Sequence, residues 1–274
     1  MRKPKASRVI KLAVSILAAA IMMFPFFMVI LNSFKARIEI AQNPLGFSGF
    51  VGFDNFVRAF STMDYFRAVG NSLIVTVFSL LVIIVFASML GYFLQRWNWK
   101  INKIIFLVLV SAMIIPFQAL MIPLVSIYGN MGILNSMPIL IYFYLGFGLP
   151  LSTFMYHGFV KGIPRELEEA AIIDGCTKLG VFWKVVFPNL APVTVTIMIL
   201  NLLWIWNDFL LPSLVLIHDY QRTLPLSTFY FFGTYTAEFG LGMAALIMAI
   251  IPLLIVYLVL QKRIIKGVVD GAIK

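Results

Sequence analysis

The chain has 274 residues, 62% hydrophobic and 12% charged, with a formal net charge of +10 and one cysteine. Soluble domains carry about 45–50% apolar and about 25% charged residues, so an ordinary globular enzyme is excluded. The basic residues flank apolar runs instead of lining a stripe, which argues against nucleic acid as a partner, and the lone Cys176 excludes an internal disulfide.

A basic stretch, residues 1–11, leads into the first apolar run at 12–34. That run exceeds the roughly 7–15 residues of a signal-peptide core, and no small-x-small site follows, so it reads as a retained helix. Further runs cover 70–95, 104–128, 137–159, 190–214 and 239–261. Each approaches the ~20 residues that cross about 30 Å of hydrocarbon. The expected architecture is an all-α integral membrane protein with six transmembrane helices.

Lys and Arg set the orientation. Sixteen of the 21 lie in four segments: before the first run, between the second and third, between the fourth and fifth, and after the sixth. By the positive-inside rule these segments and both termini face the cytoplasm. The outer loop 35–69 contains a helix-like stretch that Asp54 is placed to cap, with Phe56, Ala59 and Phe60 on one face. It suits either a helix lying on the outer membrane surface or a docking surface for an external partner. The other outer loop, 215–238, is aromatic (Tyr220, Phe229, Tyr230, Phe231, Phe232, Tyr235). Pro25, Pro116, Pro123, Pro150 and Pro252 fall inside expected spans, and interior prolines in four of six favour a moving protein over a static anchor.

The charged segment 164–188 interrupts the apolar sequence. Pro164 suits a first helical turn, and Glu166, Glu168 and Glu169 place negative charge at its positive end. Leu167, Ala170, Ala171 and Ile173 supply an apolar side, and Gly175 ends the helix in the left-handed region. Thr177 caps a second helix, with Leu179, Phe182, Val185 and Val186 at helical spacing until Pro188 stops it. Two short helices meeting at a glycine form a knob, which suits either a soluble partner or a hairpin tucked under the bilayer.

In the fifth run, Thr194, Asn201, Trp204 and Asp208 share one helix face. Amide, carboxylate and indole together suit a sugar, whose hydroxyls need hydrogen bonds and whose ring faces stack on aromatics. Asp208 is the only acid within a span, yet it lies near the outer end and has a second reading as an interfacial acid. Gln118, beside Pro116, is a further pathway candidate, with helix–helix hydrogen bonding as its other reading. His157 and His218 are isolated, no nucleophile has a neighbouring base, and no metal-ligand spacing occurs. No catalytic residue is expected.

Glu169-Ala170-Ala171-x-x-Asp174-Gly175, with Phe182 and Pro188, resembles the EAA motif of ABC importer permeases, in the loop before the penultimate span where that family carries it. Tyr65–Ser72, before the second span, is similar to the entry to that family's core, and Trp206-Asn207-Asp208-Phe209 and Gly267–Lys274 resemble the carbohydrate branch, in particular the second permease of maltose-type systems. The resemblance implies a type I ABC importer permease (MetI-like) core. Residues 1–11 would be a cytoplasmic N-terminus, and 12–69 the first helix and its outer loop. Residues 70–261 would be a five-helix core containing the coupling loop 160–189, and 262–274 a cytoplasmic tail. It also implies that the knob docks on a cytoplasmic ATPase, with Glu169 as the acidic contact and Gly175 as the turn. The chain has no phosphate-binding loop, so ATP and magnesium belong to a separate ATPase. The implied assembly is a heterodimer with a second homologous permease, two ATPases and an extracytoplasmic binding protein, in a bacterial plasma membrane. The cargo implied is a mono- or oligosaccharide or polyol. Another solute is the alternative, and a secondary transporter would need more buried acids and a repeated half.

Overall fold

Backbone in hydrocarbon must satisfy its own polar groups, and the apolar runs accordingly fold as helices. The computed structural model describes residues 5–233 and 238–272. Arg2, Lys3, Tyr235, Ile273 and Lys274 therefore lie outside the described residues, as do the side chains of Lys5, Lys262, Arg263 and Lys266. The chain divides into two compact units, Met1–Phe66 with Ser227–Pro252 and Arg67–Leu226 with Leu253–Lys274.

The first unit opens with α1 (Lys5–Ser33), whose apolar side chains are exposed along almost its whole length. After α1 the chain is pinned by two buried polar side chains. Lys35 donates from Nζ to the carbonyls of Asn43 (3.0 Å) and Pro44 (3.3 Å). Asn55 donates from Nδ2 to the carbonyls of Ser33 and Lys35, both at 2.9 Å. The bond to Ser33 satisfies a carbonyl that the end of α1 leaves open, and the others satisfy carbonyls of the loop that follows. The short α2 (Arg37–Gln42) and α3 (Asp54–Thr62) complete the loop. Asp54 is the first helical residue of α3, not its cap: Phe53 holds the cap position, and the Asp54 carboxylate instead faces Arg58 at 3.8 Å. Ala59 is buried on the expected face while Phe60 is partly exposed.

In the second unit α4 (Tyr65–Arg96) leads into a pair that the sequence reads as one straight span. It is instead two helices, α5 (Lys100–Ala112) and α6 (Phe117–Asn130), bent by 103°. The cause is local. Met113 and Ile114 donate back three residues, to Val110 and Ser111, which tightens the last turn. Pro116 then adopts an extended ψ of 138° and has no N–H to carry the helix on. Next come α7 (Met137–Val160), α8 (Arg165–Ile173), α9 (Lys178–Val181), a π turn at Phe182–Val186 and α10 (Phe187–Asn189). Pro188 does not stop this run. The break falls at Leu190, and α11 (Ala191–Asn207) leaves at 76°. The chain continues through α12 (Leu210–Val215) and α13 (Leu224–Phe229) to α14 (Phe239–Ala272), which contains Pro252.

Among the described residues four helices are individually long and apolar enough to cross a membrane, and up to six spans result if each bent pair is counted as one. Close approach inside the second unit uses small residues. A side chain at Gly91 of α4 would sit 2.7 Å from Tyr156 Cβ and 3.0 Å from the His157 backbone nitrogen of α7. One at Gly148 of α7 would sit 2.6 Å from Ile83 Cδ1. Membrane helices pack through such positions because lipid supplies no hydrophobic drive between them.

Candidate coupling knob and pathway

The knob is built as its residues demand. Helix α8 closes with Gly175 at φ +86°, where a Cβ is strained, and Cys176 donates to the Ala171 carbonyl at 2.9 Å. Thr177 Oγ1 then accepts from the Gly180 N–H at 3.2 Å and starts α9. Ala171, Phe182 and Val186 are buried in one apolar cluster with Tyr156, Leu190 and Ile197, which fixes the knob to α7 and α11.

The apolar side expected of α8 is divided. Ala171 faces inward, but Ile173 is 85% exposed and Leu167, Ile172 and Leu179 are also open. Glu169, Ala170, Asp174, Gly175 and Pro188 lie on the surface with them. The outer side of the knob thus presents exposed apolar and acidic side chains together.

Glu168, not Glu169, is the buried acid. Its Oε1 accepts from Arg96 Nε at 2.6 Å, and its Oε2 accepts from the Tyr92 hydroxyl at 2.7 Å. The same guanidinium donates to the Ile163 carbonyl at 2.9 Å. The last turn of α4 is thereby tied to α8 and to the turn before it. Sequence reading missed this pair. The available signal was the i,i+3 spacing of Glu168 to Ala171, which puts the acid on the inward face.

The polar face of α11 is less uniform than its spacing suggests. Thr194 accepts from the Tyr156 hydroxyl at 2.9 Å and donates to the Leu190 carbonyl at 2.9 Å. Asn201 is buried and donates to the Ile197 carbonyl (2.9 Å) and to Ser152 Oγ (3.2 Å). Trp204 is half-exposed and meets Tyr144 edge-on at 5.5 Å. Asp208 does not continue the face, because α11 ends at Asn207 and Asp208 turns extended at ψ 129°. Its Oδ1 accepts from the backbone of Leu210 at 2.9 Å, and its Oδ2 from the Tyr144 hydroxyl at 3.0 Å. It therefore starts α12 as a cap does.

Asn201 and Trp204 line a cavity of about 690 Å³ between the bent α5–α6 pair, α7 and α11. Tyr128, Tyr142 and Phe147 supply aromatic walls, and no charged side chain contributes. Thr194, Asp208 and Gln118 are not among its walls, and Gln118 is exposed in the first turn of α6. The start of the core has its own polar clamp. Asn71 Nδ2 donates to the carbonyls of Tyr220 and Arg222, both at 2.9 Å, and Ser72 Oγ accepts from the Leu224 N–H at 2.7 Å.

Residues 83–270 match the family described as "binding-protein-dependent transport system inner membrane component". Over 274 residues, all of both chains, the sequence is 42% identical to the probable starch degradation products transport system permease protein AmyC of Thermoanaerobacterium thermosulfurigenes. It is 36% identical to the melibiose/raffinose/stachyose import permease protein MelC of Bacillus subtilis, covering 99% of this chain and 98% of the relative. A crystal structure of a bacterial ABC transporter involved in the import of the acidic polysaccharide alginate contains a chain of the same fold. The TM-score is 0.77 at 20% identity, over 96% of this chain and 99% of that one.

Proposed function

The chain belongs to the family of inner-membrane components of binding-protein-dependent transport systems, and from that premise we propose that it forms half of the translocation pathway of an ATP-driven saccharide importer. It is a membrane permease subunit and not an enzyme. On this reading it spans the membrane six times, each bent pair counting as one span, and the distribution of Lys and Arg supports an orientation with both termini inside. Its partners are a second, homologous permease, two cytoplasmic ATPases that hold ATP and magnesium, and an extracytoplasmic solute-binding protein.

The knob carries the reading. Its underside is locked to α4 through the Arg96–Glu168 pair, while its outer side presents Glu169, Ile172, Ile173 and Leu179 to an ATPase. Movement of the ATPases is then delivered to α4, α7 and α11 together. The cavity beside Asn201 and Trp204 has only uncharged walls, which suits a neutral mono- or oligosaccharide. Uptake of labelled neutral saccharides into cells lacking this chain tests the reading. Restoring the chain should restore uptake and bring the ATPase with it on purification. Uptake independent of the chain, or purification free of any ATPase, contradicts it.

A further inference from the structure

The turn between α4 and α5, where two apolar helices leave the membrane at adjacent ends, encloses a second cavity of about 530 Å³ in the second unit. Its walls include Lys103 at the start of α5, His157 in the last turn of α7 and Arg165 at the start of α8. Among the described residues no carboxylate contributes to it. Trp97 and Trp99 line the same space, and indoles at the ends of apolar helices mark the depth of lipid headgroups.

A second observation points to a ligand. Asn102, also in the wall, is 3% exposed and donates from Nδ2 to the Trp97 carbonyl at 2.7 Å. Among the described residues its Oδ1 has no hydrogen-bond partner. A buried acceptor without a donor is costly, and buried polar groups are ordinarily satisfied.

We propose that this cavity binds the headgroup of an anionic glycerophospholipid bearing a hydroxyl, of the phosphatidylglycerol type. The phosphodiester is held by Lys103 and Arg165, and the glycerol hydroxyl donates to Asn102 Oδ1 after a small shift of a wall side chain. The acyl chains follow the exposed apolar side chains of α5, Ile104, Leu107 and Val108. Basic pockets between membrane helices on the cytoplasmic side bind such headgroups, and a cationic ethanolamine would face like charge here. Arg165 also donates to the Arg96 carbonyl at 3.4 Å, so the lipid would sit against the first residue of the knob. The inference rests on the orientation proposed above and makes no assumption about the solute transported.

Native mass spectrometry of the full chain with its partner subunits, delipidated and titrated, tests it. The probes are phosphatidylglycerol, phosphatidylmethanol (the same charge without the hydroxyl), phosphatidylethanolamine and inorganic phosphate. Phosphatidylglycerol should bind most tightly. Lys103→Gln should weaken it about fivefold, and the double variant with Arg165→Gln about 25-fold, from roughly one surface-charge contribution per residue. Lys103→Arg should retain binding, which separates loss of charge from loss of fold. Equal binding by the double variant and the parent overturns the site. Displacement of the lipid by equimolar inorganic phosphate, or by the ATPase itself, overturns the lipid as its occupant. Equal affinity for phosphatidylmethanol overturns the role of Asn102.

Discussion

The knob and the cavity beside α11 are built in opposite ways. In the knob the elements are fixed: a capped helix, a left-handed glycine, a buried acid that accepts from Arg96 and Tyr92, and a shared apolar cluster. At the cavity the helices are interrupted. The α5–α6 pair turns through 103°, α11 stops at Asn207, and aromatic side chains stand half-exposed around the cavity. On the proposed function the knob transmits force and has to be stiff, whereas the cavity passes a solute and has to open and close. Damage to the first should therefore be uniform across solutes, and damage to the second should depend on the solute.

The sharpest way to break this contrast is to remove one member of the buried pair. Glu168→Ala or Arg96→Ala leaves a buried charge uncompensated, at a cost of about 3–5 kcal/mol. Thermal unfolding of the purified chain should show a marked loss, and import should fail for every solute. A double variant replacing both with Met should be less destabilised than either single one, since no charge is then stranded.

Gly175→Val comes next. Its φ of +86° costs a side chain about 1–2 kcal/mol. The chain should insert normally but lose import and ATPase co-purification. Unchanged import would show that the turn is not held in its observed form.

At the cavity, Trp204→Ala should change import by about 2–10-fold, the size of an aromatic contact, with an effect that differs between saccharides. Asn201→Leu should act in the same direction. Equal loss across all solutes would erase the distinction between the two regions. The smallest expected effect is Thr194→Val, which removes one acceptor from the Tyr156 hydroxyl and should cost about 1 kcal/mol of stability with little change in import.

Much of this was legible before the fold was known, and the misses share a physical cause. Apolar runs report the medium around a helix, so the helical segments could be placed from sequence. The glycine turn and the Thr177 cap are local chemistry and follow from adjacent residues. Glu168 is different, because its partners lie 72 and 76 residues away and periodicity reveals a face but not what meets it. Asp208 has one such distant partner, the Tyr144 hydroxyl 64 residues away, and two local ones. A carboxylate in an apolar run reads as lining a pathway, yet its nearest needs are the open N–H groups of α12. Lys35 and Asn55 look like ordinary loop residues and prove to hold that loop together. The proline signal at Pro116 was visible, but the size of the bend depends on the tightened turn before it.

The central claim is that Glu169 and its exposed neighbours receive the ATPase while Glu168 passes the movement inward. ATP-driven uptake by vesicles containing the full complex tests it most directly, with Glu169→Lys compared against the parent. The account predicts normal insertion, reduced ATPase association and loss of uptake for every saccharide supplied. Uptake at the parent rate with ATPase association unchanged would contradict it.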